Sequence, residues 1–150
     1  MTKGEKAKEL FEQGYNCAQA VFGAFAEELG IDFNMAVKIS SGFGGGMGRL
    51  REVCGVVSGM FMVLNMRYGY IDPKANEEKK ALYKDIQVLA NEFKNENGSI
   101  ICRELLGLTK KGADSPVPEK RTEEYYKKRP CSELCRYGAD LVDNFIKNHD

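Results

Sequence analysis

The residues with the most chemistry to offer are five cysteines: Cys17, Cys54, Cys102, Cys131 and Cys135. As a thiolate, a cysteine attacks disulfides, resolves mixed disulfides or ligates soft metals. No two stand at the Cys-x-x-Cys spacing of thioredoxin-like sites or zinc knuckles. Cys131 and Cys135 are four apart on one predicted helix face. Cβ atoms at that spacing lie about 5–6 Å apart, too far for the roughly 3.5–4.5 Å of a disulfide, although a metal could span them. The one histidine, His149, is the penultimate residue and reads as a solvated tail. Its position argues against Cys–His or Ser–His–Asp catalysis and against a zinc site needing imidazole. Free cysteine is also among the most buried residue types, so five unrelated core side chains is the plain alternative.

Local context favours chemistry. Cys54 is read near a helix start, one turn after Arg51, with Gly55 and Gly59 forming a bare strip where another backbone or a cofactor can approach. Cys102 follows Ser99 and precedes Arg103, and Cys131 follows Arg129-Pro130 in the first turn of the last helix. Helix N-termini and neighbouring cations favour a thiolate. Cys54 and Cys131 are therefore expected to react fast near neutral pH, and Cys17, read mid-helix on an apolar stripe, to react slowly.

These cysteines need helices to hold them. Ala7, Leu10, Phe11, Gly14, Cys17, Ala18, Val21, Phe22, Phe25 and Leu29 recur at steps of three and four, one face of a helix running from a Thr2–Glu5 capping box to Gly30. Asp32 caps a second helix over 33–41. A third is expected near 49–68, apolar on every side from Val53 to Met66 and therefore central. Asp72-Pro73 opens a fourth through about 96. A brief helix follows around Cys102, then a charged loop over 109–129 with a helical turn near 123–127, then a last helix after Pro130. No period-two alternation and no repeat is present. The expected class is all-α, a bundle of about four main helices plus short ones in a single domain over 1–150. Gly42 to Gly48 is glycine-rich, but phosphate-binding loops follow a strand, and none precedes it. A structural role is expected instead, with the loop passing tightly over the helix that carries Cys54.

Composition narrows the partners. Lys plus Arg and Asp plus Glu number 22 each, so there is no basic footprint for nucleic acid or an anionic membrane. The longest uncharged apolar run, 53–66, falls short of the roughly 20 residues of a membrane span. The N-terminal residues hold no apolar signal core, so a cytoplasmic location is expected, where cysteines serve redox or metal chemistry more often than structural disulfides.

Asn16-Cys17-Ala18, then Ser41-Gly42-Phe43-Gly44-Gly45-Gly46-Met47-Gly48, then Cys54-Gly55-Val56-Val57-Ser58-Gly59, then Cys102, then Arg129-Pro130-Cys131 resembles the redox-active C_GCAxxG_C_C family. The resemblance spans roughly residues 5 to 148. It implies a site of Cys17, Cys54, Cys102 and Cys131, with Gly55 and Gly59 as the motif glycines and candidate cofactor contacts. Val56 departs from the family's Ala, adding volume beside Cys54, and Cys135 lies outside the pattern. Three functions compete. The first is thiol–disulfide or electron-transfer chemistry with an unidentified redox partner, by a possible oxidoreductase. The second is an iron–sulfur or other metal centre held by Cys17, Cys54, Cys102 and Cys131. The third is a helical binding or scaffold module. A homo-oligomer is compatible with each.

Overall fold

The computed structural model describes residues 1–109 and 111–150; position 110, inside the charged 109–129 loop, lies outside them. The described chain is all-α. Its elements are α1 (Lys3–Glu12), α2 (Cys17–Ala24), α3 (Ala26–Leu29), α4 (Phe33–Ser40), α5 (Gly44–Met47), α6 (Gly55–Tyr68), α7 (Asn76–Asn97), α8 (Cys102–Leu105), α9 (Glu123–Lys128) and α10 (Cys131–His149). Among the described residues the one extended pairing is an isolated antiparallel bridge between Val53 and Ile101.

The helix expected from Thr2 to Gly30 is three helices. The Thr2–Glu5 capping box opens α1, but Gly14, at φ 112°, breaks the chain, and a second capping box pairs Asn16 with Gln19 to open α2. An Asn cap satisfies helix N–H groups that would otherwise lack acceptors, so it competes with continuing the first helix. The apolar stripe survives the break because α1 and α2 pack on each other and present their faces to the same core.

Two other starts move. The helix expected from 49 begins at Gly55, because Arg49 and Arg51 adopt φ of 64° and 61° and Val53 pairs with Ile101. The helix expected from Pro73 begins at Asn76, because Asp72 makes a turn instead, accepting from the Lys74 and Ala75 N–H groups at 2.9 and 3.0 Å.

The core gathers around α6. Val56, Val57, Met60, Val63 and Leu64 of α6 meet Val21 and Phe22 of α2, Phe11 of α1, Leu89 and Phe93 of α7, and Val142 and Ile146 of α10, all buried. Each such side chain contributes about 1.5–3 kcal/mol relative to exposure. Enclosure is incomplete at the C-terminal end, where Met66 is 47% exposed. The longest contact runs between α1 and α10, where the Gly4 N–H donates to Asp140 Oδ1 at 2.8 Å. His149 is tethered rather than frayed. Its ring lies 4.5 Å from Tyr68 and 5.2 Å from Phe145, and its Nε2 is 3.4 Å from Asp85. Among the described residues no helix is long and apolar enough to cross a membrane.

Candidate functional site

Four cysteines stand at four helix starts. Cys17 is the first residue of α2, Cys54 the N-cap of α6, Cys102 the first residue of α8, and Cys131 the first of α10. Three of these placements match the sequence expectation; Cys17 does not, since the Gly14 break moves it from mid-helix to a helix N-terminus. The four line one cavity of about 590 Å³.

Backbone contacts bring the starts together. The Cys54 N–H donates to the Ile100 carbonyl at 2.8 Å and the Cys102 N–H to the Glu52 carbonyl at 2.6 Å, so the bridge clamps the start of α6 to the start of α8. Gly55 clamps α6 to α2. A Cβ there would lie 3.1 Å from the Cys17 Cβ and 3.0 Å from the Phe43 carbonyl oxygen. At Gly59 a Cβ would meet the Val21 Cβ at 2.9 Å. The bare strip of Gly55 and Gly59 is thus filled by the backbone and side chains of α2, and Gly59 does not line the cavity. The volume that Val56 adds points at α10, where a Cβ on Gly138 would fall 2.3 Å from a Val56 methyl.

Cys17 and Cys131 are half-buried, whereas Cys54, Cys102 and Cys135 are 5%, 7% and 0% exposed. The Cys17 thiol is a neighbour of Cys131 and of Cys135, near enough for each to shift the ionisation of the other. Cys135, outside the family pattern, is therefore packed against the site, one turn along α10 from Cys131.

The thiols are held protonated. Burial pushes Cys54 up to about 12, against the pull of the Val56 and Val57 N–H groups. The hydrogen bond with Cys17, then burial, raise Cys131, with Arg129 and Arg121 pulling the other way. The Cys131 hydrogen bond favours the Cys17 thiolate, but contact with Cys135 and burial leave Cys17 well above the usual value. Burial also raises Cys102, although Arg51 Nη1 lies 3.5 Å from its sulfur and favours the thiolate. The expectation of low-pKa thiols at Cys54 and Cys131 is corrected here. A helix terminus supplies about 0.3–1 kcal/mol, less than one pKa unit, whereas burial shifts a fully enclosed group by up to about 3–5 units.

The glycine loop is a left-handed turn. From Gly45 to Arg49 the φ angles are 72°, 70°, 62°, 54° and 64°, and Arg51 follows at 61°. Only glycine fits at Gly46, where a Cβ would lie 2.6 Å from the Cys102 Cβ and 2.8 Å from the Glu52 nitrogen. The loop therefore presses on Cys102 as well as on the start of α6. Met47, Arg49 and Arg51 carry side chains in this region at a cost of roughly 1–2 kcal/mol each. Such strain persists where surroundings over-determine it. Here Arg51 Nε is fixed on Asp114 at 2.8 Å and Arg49 Nε on the Ser115 carbonyl at 2.6 Å.

The family model described as "Putative redox-active protein (C_GCAxxG_C_C)" matches residues 15–145. The chain belongs to this family. The matched span holds all four pattern cysteines, Cys135 and the glycine turn. No curated protein and no solved structure is matched by the chain.

This C_GCAxxG_C_C protein also lines its cavity with four arginines: Arg51 and Arg129, which the sequence places beside Cys54 and Cys131, and Arg49 and Arg121, which it did not single out. Arg121 comes from the charged loop and donates to the Phe11 and Tyr15 carbonyls at 2.9 and 3.1 Å, on either side of the break after α1. Its guanidinium lies 4.2 Å from the Phe11 ring centroid. Nothing in the local sequence marks this role, because the partners are more than 100 residues away. Among the described residues, no group of three or more His, Cys, Asp or Glu side chains is arranged to hold a metal ion.

Proposed function

We propose that this protein is a thiol–disulfide redox protein whose exchanging pair is Cys17 and Cys131. What carries this reading is that these two cysteines line the cavity from the starts of α2 and α10, which pack on each other, and are half-buried while Cys54, Cys102 and Cys135 are enclosed. On oxidation the two thiols give up two protons and two electrons and one sulfur–sulfur bond forms. The attacking sulfur must first lose its proton. Arg129 and Arg121 favour the thiolate of Cys131, and the starts of α2 and α10 add to this, opposing the burial that holds the resting thiols neutral. Cys135, against Cys17, is placed to take over the bond by exchange. A reducing compartment such as the cytoplasm, and a chain acting as one helical unit, suit this chemistry.

The test is equilibration in buffers of a neutral dithiol and its disulfide, acid quenching and mass-spectrometric mapping. A Cys17–Cys131 disulfide is expected, lost in both Cys17→Ser and Cys131→Ser. Five free thiols at every poise would overturn the proposal. Four cysteines around one cavity is also the inventory of a metal centre. Iron and sulfide analysis of anaerobically purified protein separates the two, with less than one equivalent of either expected.

A further inference from the structure

The cavity that holds the cysteines carries more positive than negative charge. Arg49, Arg51, Arg121 and Arg129 line it, with Glu119 as the lining carboxylate. Glu119 is taken by Arg129, at 2.6 Å. Asp114, just outside the lining, is shared between Arg51 at 2.8 Å and Arg49 at 3.9 Å. Among the described residues Arg121 is in no ion pair, and it bonds carbonyl oxygens and the Tyr126 hydroxyl and stacks on aromatic rings. Four guanidiniums therefore face two carboxylates. Guanidiniums stay charged at any ordinary pH, and removing them from bulk water strengthens their attraction for an anion. The cavity volume, about 590 Å³, lies in the range of small-molecule sites.

We infer that the cavity admits a small carboxylate-bearing disulfide, its carboxylate held by the arginines and its sulfurs presented to Cys17 and Cys131. The inference rests on the thiol-exchange reading above and names the substrate class. Two unmatched positive charges suit one carboxylate and one cysteine thiolate together. In the first step one cysteine sulfur attacks the substrate disulfide. A mixed disulfide forms, the substrate sulfur–sulfur bond breaks, and the departing thiolate takes the proton that the cysteine lost. In the second step the other cysteine sulfur attacks the mixed disulfide. The intramolecular disulfide forms, and the second substrate thiolate leaves with the second proton. The protein is oxidised by two electrons and the substrate disulfide is reduced to two thiols.

The experiment measures the rate at which reduced protein is oxidised by three disulfides of similar size. The probes are bis(2-carboxyethyl) disulfide, bis(2-hydroxyethyl) disulfide and cystamine, which are dianionic, neutral and dicationic. Each rate is divided by that probe's rate with a simple neutral thiol in solution. The dianion is expected to be favoured about tenfold or more over the neutral probe, with the dication slowest. The preference should shrink as salt rises from about 0.02 M to about 0.5 M. Arg121→Lys should keep the ratio of dianion to neutral rates, and Arg121→Gln, which retains a donor for one carbonyl, should bring that ratio towards one, whatever it does to the two rates together. If Arg121→Gln fails to fold, the salt series on the wild-type protein decides. Equal normalised rates, or a preference for cystamine, would overturn the inference while Cys17–Cys131 oxidation in neutral buffer still stands. Failure of that disulfide to form in the neutral buffer would overturn the thiol-exchange reading itself.

Discussion

The Cys54 thiol, 5% exposed and raised to about 12, makes the fold sensitive to alkali. An unfolded chain releases this proton near pH 8.5, whereas the folded chain keeps it to about pH 12. Between those values the unfolded state binds fewer protons, so stability falls as pH rises, by up to about 1.4 kcal/mol per pH unit for each such thiol. Below about pH 8 the same thiols contribute no pH dependence. Urea unfolding midpoints should hold steady from pH 6 to 8 and fall between pH 9 and 10.5, less steeply in Cys54→Ala. Equal slopes in wild type and variant would show that the Cys54 thiol is not the group responsible. At this scale much was legible: Ser99 and Pro130 mark helix starts beside Cys102 and Cys131. What was not legible is solvation. Whether a thiol at a helix start faces water or a neighbouring cysteine depends on residues far away in the chain, such as Cys131 against Cys17.

At the scale of elements, the left-handed turn is the part of the site with the least tolerance. Gly46→Ala would place a methyl group 2.6 Å from the Cys102 Cβ in a backbone conformation that alanine disfavours. The conformational cost is roughly 1–2 kcal/mol and overpacking adds typically 1–3 kcal/mol. Loss of about 2–5 kcal/mol of unfolding free energy is expected, read by urea titration. A change under about 0.5 kcal/mol would show that the turn relaxes freely. Alanine at Gly42, where nothing lies within 4 Å of the added atom, is the control. The sequence marks this loop by composition but not its handedness, which Arg49 and Arg51 share despite having side chains. Element boundaries were legible where one signal acted alone, as at Asp32 before α4. They failed where two signals overlapped. The apolar stripe runs through Asn16-Cys17-Ala18-Gln19, and the capping box there wins because it satisfies backbone groups locally.

Across the whole molecule, α6 is the axis on which α2, α7 and α10 close. Val57 is fully buried there, so Val57→Asp would have to bury an unpaired carboxylate. No soluble folded protein is expected from this variant; a helical circular dichroism spectrum with wild-type heat stability would place α6 elsewhere. The all-α class and the central apolar helix followed from periodicity and from the charge-free run over 53–66. Which helix starts would meet did not, because that depends on the Val53–Ile101 pairing, a contact across 48 positions that no local pattern announces.

That pairing has a consequence for how the chain can change over evolutionary time. By joining the backbone before α6 to the backbone before α8, it turns everything between into an excursion that leaves the cavity and returns to it. The far turn of this excursion, around Ile71, is fully in solvent. Residues can be added or removed there at the modest entropy of a longer loop, leaving the cysteines where they are. The stretches before Val53 and after Ile101 have no such licence. A shift of one residue on either side of the bridge would carry Cys54 or Cys102 out of register with the other. Length variation among homologues should accordingly collect at the α6–α7 turn and be excluded from 43–55 and 99–102.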